Sequence, residues 1–301
     1  MRPQGLHGVI APIPTPFDPE TGDVAPVALR HATRALLGQG LDGIAVAGST
    51  GEGELLDADE RVKLVEWLRD VVPDDKWLIA GAGAESTRAT VRACREVAAA
   101  GADAALVRPP SYYGSVLAAA ALAQHYVRVA DASPVPVIVY NIPKYTHVML
   151  QDSVLRAVAE HERIVAFKDS SGDLKVLAGF RAAAPRLTPL VGSGSLFYPA
   201  LELGAAGGIL AVACFAAEAC AALYAAFRAG DRETAGACQE RLTPLARDIV
   251  GAFGPAGIKA AMDLVGLPAG PVRPPLAALD ARQQAKVAEC LAQAGVLRVA
   301  A

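Results

Sequence analysis

Residues 135–169 read VPVIVYNIPKYTHVMLQDSVLRAVAEHERIVAFKD, and their reading decides the fold. Two continuous apolar runs rich in β-branched residues, Val135–Tyr140 and Ile164–Lys168, bracket a stretch in which Asp152 stands where a helix N-cap belongs. Strands that are apolar on both faces are what a parallel sheet covered by helices requires. The unit to look for elsewhere is therefore a strand, a helical crossover and a second parallel strand.

Working outward, comparable runs occur at His7–Ala11, Gly43–Ala47, Trp77–Gly81, Ala104–Val107, Thr188–Gly192 and Gly208–Val212, which brings the strands to eight. Their starts lie roughly 20–35 residues apart, the length of a βα unit. Helical patterns over Ala25–Gln39, Asp57–Val72 and Thr87–Ala100 fill the gaps and are stopped by Gly40, Pro73 and Gly101. Asp57 and Ser86 sit at their N-cap positions. Eight units predict an α/β fold closed as a (β/α)8 TIM barrel, because an open doubly wound sheet usually has fewer strands. Past Val212 the pattern is helical to the end. Ala216–Ala229 completes the eighth unit, while Asp231–Gly251, Ala256–Leu264 and Ala281–Ala294 predict an appended C-terminal helical region. The expected division is a catalytic barrel over 1–230 and an extension over 231–301 packed on it, with no linker between.

Of the 301 residues 53% are hydrophobic, enough for a large core. The net charge is −3 with no basic stripe, which argues against a nucleic-acid partner. Charges interrupt every apolar run before it reaches the roughly 18 residues of a membrane span, and the N-terminus lacks a leader pattern. Cys94, Cys214, Cys220, Cys238 and Cys290 are odd in number and form no C-x-x-C, so they read as buried free thiols of a protein in the reducing cytoplasm. The five histidines are scattered without metal-ligand spacing, and no G-x-S-x-G elbow is present. Metal-assisted and serine-hydrolase chemistry lose support, leaving lysine-based covalent chemistry.

Barrel enzymes carry their reactive groups at the C-terminal ends of the strands. Lys168 closes the apolar sixth strand, where an amine loses part of its hydration and the neutral, nucleophilic form gains. A snorkelling lysine, or one paired with Asp169, is the bland alternative. Tyr140 ends the neighbouring strand and projects at the same rim, where a phenol could relay protons; a core tyrosine with a satisfied hydroxyl is its alternative. After strand two, Gly48-Ser-Thr-Gly51 makes a turn that offers backbone N–H groups and two hydroxyls to a small anion, although a plain β-to-α turn has the same composition. The tyrosines of VRPPSYYG after strand four fit a rim, an interface or a relay equally well.

Taken in order, GVIAPIPTPF at 8–17, G-S-T-G-E at 48–52, Tyr140-Asn-Ile-Pro, Lys168-Asp, Gly207-Gly-Ile-Leu and GPVRPPL at 270–276 resemble the dihydrodipicolinate synthase / N-acetylneuraminate lyase family of class I aldolases over nearly the whole chain. The resemblance implies that Lys168 forms a Schiff base with pyruvate and that Tyr140 is the acid/base. It also implies that Ser49 and Thr50 hold the pyruvate carboxylate and that Ser49 links Tyr140 to Tyr112, which in many members reaches in from a neighbouring subunit. Ile209 would turn its backbone carbonyl to the substrate, with Tyr145 and Ser193 lining the rest of the pocket. A homotetramer built as a dimer of dimers, and chemistry without metal or organic cofactor, are further implications.

Where the synthases carry an arginine two residues after the Pro of Y-N-x-P, this chain has Tyr145, with Lys144 beside it, and His147 replaces a usual glycine. Those departures set the chain apart from the synthases, and elsewhere AGAGAESTRATV, GADAALVRPPSYY, HYVRVADASPVPVIVY and LGAAGGILAVA resemble 4-hydroxy-2-oxoglutarate aldolases. Thr50, in place of an asparagine, and Asn141, in place of a serine, depart from the animal members of that group. The expected reaction is cleavage of 4-hydroxy-2-oxoglutarate to pyruvate and glyoxylate. The alternatives are condensation of pyruvate with aspartate semialdehyde, cleavage of another keto or sugar acid, and a non-catalytic barrel that binds a keto acid.

Overall fold

The computed structural model describes residues 5–297, so the ends of the expected barrel and extension, 1–4 and 298–301, lie outside it. Eight parallel strands close on themselves in sequence order: β1 (Gly8–Pro12), β2 (Gly43–Val46), β3 (Trp77–Gly81), β4 (Ala104–Val107), β5 (Val137–Asn141), β6 (Ile164–Asp169), β7 (Thr188–Val191) and β8 (Gly207–Ile209). The predicted TIM barrel is thus the observed one.

Several boundaries differ from those expected. β5 starts at Val137 rather than Val135, since Pro136 has no N–H to give the ladder. β8 begins at Gly207 and stops at Ile209; Ala211–Cys214 turns instead as a short 3-10 helix, with the Ala213 N–H on the Leu210 carbonyl at 3.0 Å. An apolar run of that length reads the same in either conformation. β1 and β7 are each displaced or shortened by one residue.

The helices that follow the strands are α1 (Pro26–Gly38), α2 (Ala58–Arg69), α3 (Thr87–Ala99), α4 (Ala119–Ala132), α5 (Pro143–Thr146), α6 (Asp152–Val158), α7 (Leu174–Ala183), α8 (Phe197–Glu202) and α9 (Ala217–Arg228). Asp57 caps α2, its N–H on Glu60 Oε2 at 2.9 Å, and the Ser86 hydroxyl caps α3 by accepting the Ala89 N–H. Asp152 is the first helical residue of α6 and Gln151 is the cap, because the Val154 and Leu155 N–H groups already turn back to the Gln151 carbonyl. Asp152 still faces the positive end of the helix dipole from there.

Beyond α9 come α10 (Arg232–Leu245), a π-helical segment Ala246–Gly251, α11 (Ala252–Leu264) and α12 (Ala281–Gln293). Gly254 breaks α11 at φ 54° and ψ −139°, just before Pro255. Gln239 of α10 bonds the barrel twice, donating to the Gly194 carbonyl at 3.0 Å and accepting the Tyr198 N–H at 2.7 Å. Among the described residues no helix is long and apolar enough to cross a membrane. Four of the five cysteines are buried; Cys238 is half-buried, at the edge of the stripe that Ala235 and Gln239 present from α10.

Two apolar clusters follow from the alternation of side chains along the strands. Ile10, Ala45, Ile79, Leu106, Ile138, Ala166, Leu190 and Ile209 point inward and fill the barrel. The larger cluster, including Val9, Ile44, Leu78, Val139 and Phe167, points outward beneath the helices. Closure needs the backbones of β1 and β8 close together: a Cβ on Gly207 would lie 2.1 Å from the Gly8 carbonyl oxygen. Gly207→Ala should therefore cost about 2 kcal/mol or more, the upper part of the overpacking range, read as a lower urea midpoint. An unchanged midpoint would show that the seam has slack.

Candidate active site

Inward alternation carries past the apolar layers to the C-terminal rim. On β5 the inward series Ile138, Tyr140 continues to Ile142, and on β6 Ala166 is followed by Lys168. The strand register sets Tyr140 directly opposite Lys168. Both are 5% exposed, and Lys168 Nζ lies 4.2 Å from the centroid of the Tyr140 ring. Among the described residues no carboxylate lines the cavity around the amine. Asp169, next in sequence, points the other way and accepts hydrogen bonds from Asn141 Nδ2 (2.7 Å), Ser171 Oγ (2.7 Å) and the Ser171 N–H (3.1 Å). Burial pushes the Asp169 carboxyl above its ordinary value while those donors pull it back. The Asn141–Asp169 contact crosses the same strand pair one residue beyond Tyr140 and Lys168, and so pins their register.

Above this pair is a cavity of about 250 Å3. Seven of the eight residues singled out in the sequence line it: Lys168, Tyr140, Ser49, Thr50, Ile209, Tyr145 and Ser193. Ser49 and Thr50 lie on the turn after β2. That turn folds so tightly that a Cβ on Gly53 or on Gly81 would each sit 2.1 Å from the Ala47 carbonyl oxygen. Two non-glycine residues, Ala47 (φ 52°) and Glu52 (φ 55°), take left-handed conformations at its ends. Ser193 follows β7 and shares a 3.0 Å hydrogen bond with the Ser195 hydroxyl. Lys144 and Tyr145, on the short α5, stand at the mouth, with Lys144 Nζ donating to the Gly251 carbonyl at 2.7 Å. His147, where the resemblance leads one to expect glycine, ends α5 at φ 54°, a conformation costing an L-residue about 1–2 kcal/mol.

Tyr112 is the exception. It is 81% exposed on the loop after β4, its ring edge-to-face with Tyr113 at 5.0 Å, and it does not enter the cavity of its own chain. That loop is clamped by Glu85, which accepts the N–H groups of Ser111 (2.9 Å) and Tyr112 (2.8 Å), the Ser111 hydroxyl and an Arg108 N–H.

Other lining residues escaped the sequence reading. Gly192 is forced by crowding, since its Cβ would lie 1.8 Å from Ser170 Oγ and 2.9 Å from Lys168 Cε. Ser170 and Ser171 add hydroxyls after β6. One wall comes from the far end of the chain: Ala246, Val250 and Gly251 of the π-helical segment, then Gly254, Pro255 and Ile258. The helix-breaking Gly254-Pro255 pair was the available signal, as π-helical turns and kinks often border functional sites. A larger hollow of about 630 Å3, between α9, α10 and the end of α11, holds none of the candidate residues. The candidate residues gather in the smaller cavity.

Chemically, the cavity offers an amine without an ion-pair partner facing it, a phenol beside that amine, and a hydroxyl-bearing turn suited to a carboxylate. Such a site can condense with a 2-keto acid and move protons around the resulting imine.

Comparison with known proteins agrees with that chemistry. The profile of the dihydrodipicolinate synthetase family matches residues 5–294. An uncharacterized DapA-like lyase of Halobacterium salinarum is 40% identical over 295 residues, 98% of this chain and 96% of that protein. A 4-hydroxy-tetrahydrodipicolinate synthase of Moorella thermoacetica is 34% identical over 290 residues, 96% of this chain and 98% of that one. Among solved structures, a dihydrodipicolinate synthase superposes with a TM-score of 0.91 at 29% identity, covering 97% of this chain and 100% of its own. YagE, an Escherichia coli K12 prophage protein crystallised with pyruvate, gives 0.90 at 28% identity, covering 97% and 99%.

The Glu85 clamp has a pH signature. Burial alone would raise its carboxyl, but the Tyr112 and Ser111 N–H groups, the Ser111 hydroxyl and Arg108 outweigh burial and hold it down to about 2. A depressed carboxyl stabilises the fold above its unfolded value and loses that contribution as pH falls from about 5 toward 2. Because the side chain is 46% exposed, screening limits the effect to about 1 kcal/mol. Glu85→Gln should lower stability by that much at pH 7 and by roughly half as much or less at pH 3, measured by urea unfolding at both. An equal loss at the two pH values would mean that the charge is not what holds the loop.

Proposed function

Because the chain belongs to the dihydrodipicolinate synthetase family and is a carbon–carbon lyase of the class I aldolase type, we propose that it cleaves 4-hydroxy-2-oxoglutarate to pyruvate and glyoxylate through a Schiff base on Lys168. The observation that carries this reading is the register of β5 and β6, which sets Tyr140 beside the Lys168 amine at the base of the cavity. The pyruvate complex of YagE supports a keto acid in the corresponding place.

Lys168 Nζ attacks the 2-keto carbon, and the carbinolamine loses water to give a protonated imine. Tyr140 takes the C4 hydroxyl proton, directly or through the substrate's own carboxylate. The C3–C4 bond then breaks, and its electron pair is held as an enamine while glyoxylate leaves. Protonation at C3 and hydrolysis release pyruvate and restore the amine. Ser49 and Thr50 hold the C1 carboxylate throughout, and Ile209 presents its carbonyl to the bound substrate. Ser193 and Tyr145 line the remainder. No step calls for a metal or an organic cofactor. Holding amine, phenol and carbonyl carbon in one geometry contributes several of the roughly 7–11 kcal/mol that orientation can supply.

Tyr145 and Lys144 support the cleavage reading over its main rival, condensation with aspartate semialdehyde. The mouth has no guanidinium at that position, while Lys144 offers a single cation to the second carboxylate of a short dicarboxylic keto acid. The synthase among the relatives keeps the rival in play. We further propose that residues 231–301 form an extension of a 1–230 barrel rather than a separate unit, supported by the wall it supplies to the cavity.

We also propose a homotetramer, a dimer of dimers in the cytoplasm, in which Tyr112 completes the site of a neighbouring copy. Its exposure of 81%, together with Tyr113 at 68% and Val116 at 75%, leaves a large apolar surface for such a contact. Sedimentation showing only monomers at assay concentration would remove this part.

The deciding assay follows pyruvate release from 4-hydroxy-2-oxoglutarate, with pyruvate plus aspartate semialdehyde run in parallel. Wild type should release pyruvate, Lys168→Ala should show no turnover, and Tyr140→Phe should lose about 10²–10⁴-fold in kcat. Condensation with the semialdehyde and no release would reverse the substrate assignment. Release that survives Lys168→Ala would remove the Schiff base.

A further inference from the structure

Two opposite charges that the reaction does not use are buried together beside the site. Lys259 of α11 is 2% exposed and Glu52 is 3% exposed, with Nζ and Oε1 2.6 Å apart. Burial drives the Lys259 amine below its ordinary value, and the neighbouring Glu52 opposes that shift. Such a pair is expensive to desolvate, and an apolar pair of similar volume often serves stability as well. Its presence calls for a role that direction and register can fill and apolar packing cannot.

Glu52 closes the turn that carries Ser49 and Thr50. Its N–H donates to the Ser49 carbonyl at 3.3 Å, and the Gly53 N–H donates to the Gly48 carbonyl at 3.0 Å. Its other carboxylate oxygen accepts the Arg273 N–H at 2.8 Å. Lys259 Nζ also donates to the Pro271 carbonyl at 2.6 Å and sits 4.4 Å from the Phe17 ring centroid. The Arg273 side chain then grips Glu60 of α2 through two N–H groups, at 2.6 and 2.7 Å. The turn is thus bolted to the 259–273 stretch at one end, and the helix that follows it is bolted to the same stretch.

A left-handed non-glycine residue at each end of the turn costs about 1–3 kcal/mol and persists only where the surroundings over-determine it. The two contacts on the Glu52 carboxylate supply that over-determination. We propose that Glu52, gripped by Lys259 and by the Arg273 N–H, is a positioning residue that holds the Ser49–Thr50 turn in the geometry that binds the keto-acid carboxylate. The proposal rests on the Schiff-base reading above. It makes the C-terminal region a working part of the site, although Glu52 itself never touches substrate.

The test compares initial rates of borohydride trapping with pyruvate and with its uncharged analogue pyruvamide. Wild type should prefer pyruvate. Glu52→Gln combined with Lys259→Met removes both charges at no net change, and a folded double variant should lose at least tenfold of that preference while still trapping pyruvamide. Mere loss of stability would leave the ratio unmoved at temperatures below unfolding. Glu52→Asp, which keeps the charge and shortens its reach, should lower the ratio in the same direction and decides the matter should the double variant not fold. A folded variant with the full wild-type preference overturns the positioning role alone. A wild type that traps neither ketone overturns the Schiff-base reading, and the positioning role with it.

Discussion

Closing eight parallel strands sends every second side chain into a space that helices and backbone seal from water. The interior layers are filled by Ile10, Ala45, Ile79, Ile138, Ala166, Leu190 and Ile209. Only where the strands end can an inward position take a polar group, and there β5 and β6 contribute Tyr140 and Lys168 in register. The amine owes its surroundings to this parity: one residue further along, Asp169 faces the helices and is spent on Asn141 and Ser171. A slip of one residue between β5 and β6 would exchange the two roles.

The rest of the site is arranged around that pair by segments distant in sequence. The turn after β2 supplies hydroxyls, the chain after β7 comes close because Gly192 has no side chain, and the π-helical segment with the broken start of α11 forms the remaining wall. Lys144 joins the mouth to that wall through the Gly251 carbonyl, while Lys259 and Arg273 join it to the β2 turn. Charge is used sparingly, and each buried ionic group on these joints has a backbone or side-chain partner that fixes direction. The C-terminal helices therefore shape the cavity as well as cover the barrel.

The barrel was legible in the sequence because strands buried on both faces must be continuously apolar, and runs such as Ile164–Phe167 are apolar without a break. Lys168 and Tyr140 were legible for the same reason, as polar residues ending such runs. Strand ends were less so: Gly207–Phe215 is apolar whether it runs as strand or turns as a 3-10 helix, and composition alone did not mark Ile209 as the last ladder residue. The π-helical wall was hidden because its period differs little from that of an α-helix over one turn. The Glu52–Lys259 pair was hidden because its partners lie far apart along the chain and each reads as an ordinary surface charge. Tyr112 was picked out as a residue, but nothing in VRPPSYYG marks it as exposed and outside the cavity of its own chain.

The central claim is that Lys168, among all the lysines, is the amine that meets the keto acid. Reducing the protein with borohydride in the presence of pyruvate and mapping the adduct by peptide mass spectrometry tests it most directly. The account predicts one modified site, on the peptide containing Lys168. An adduct on Lys144 or Lys259 instead, or none at all, would contradict it.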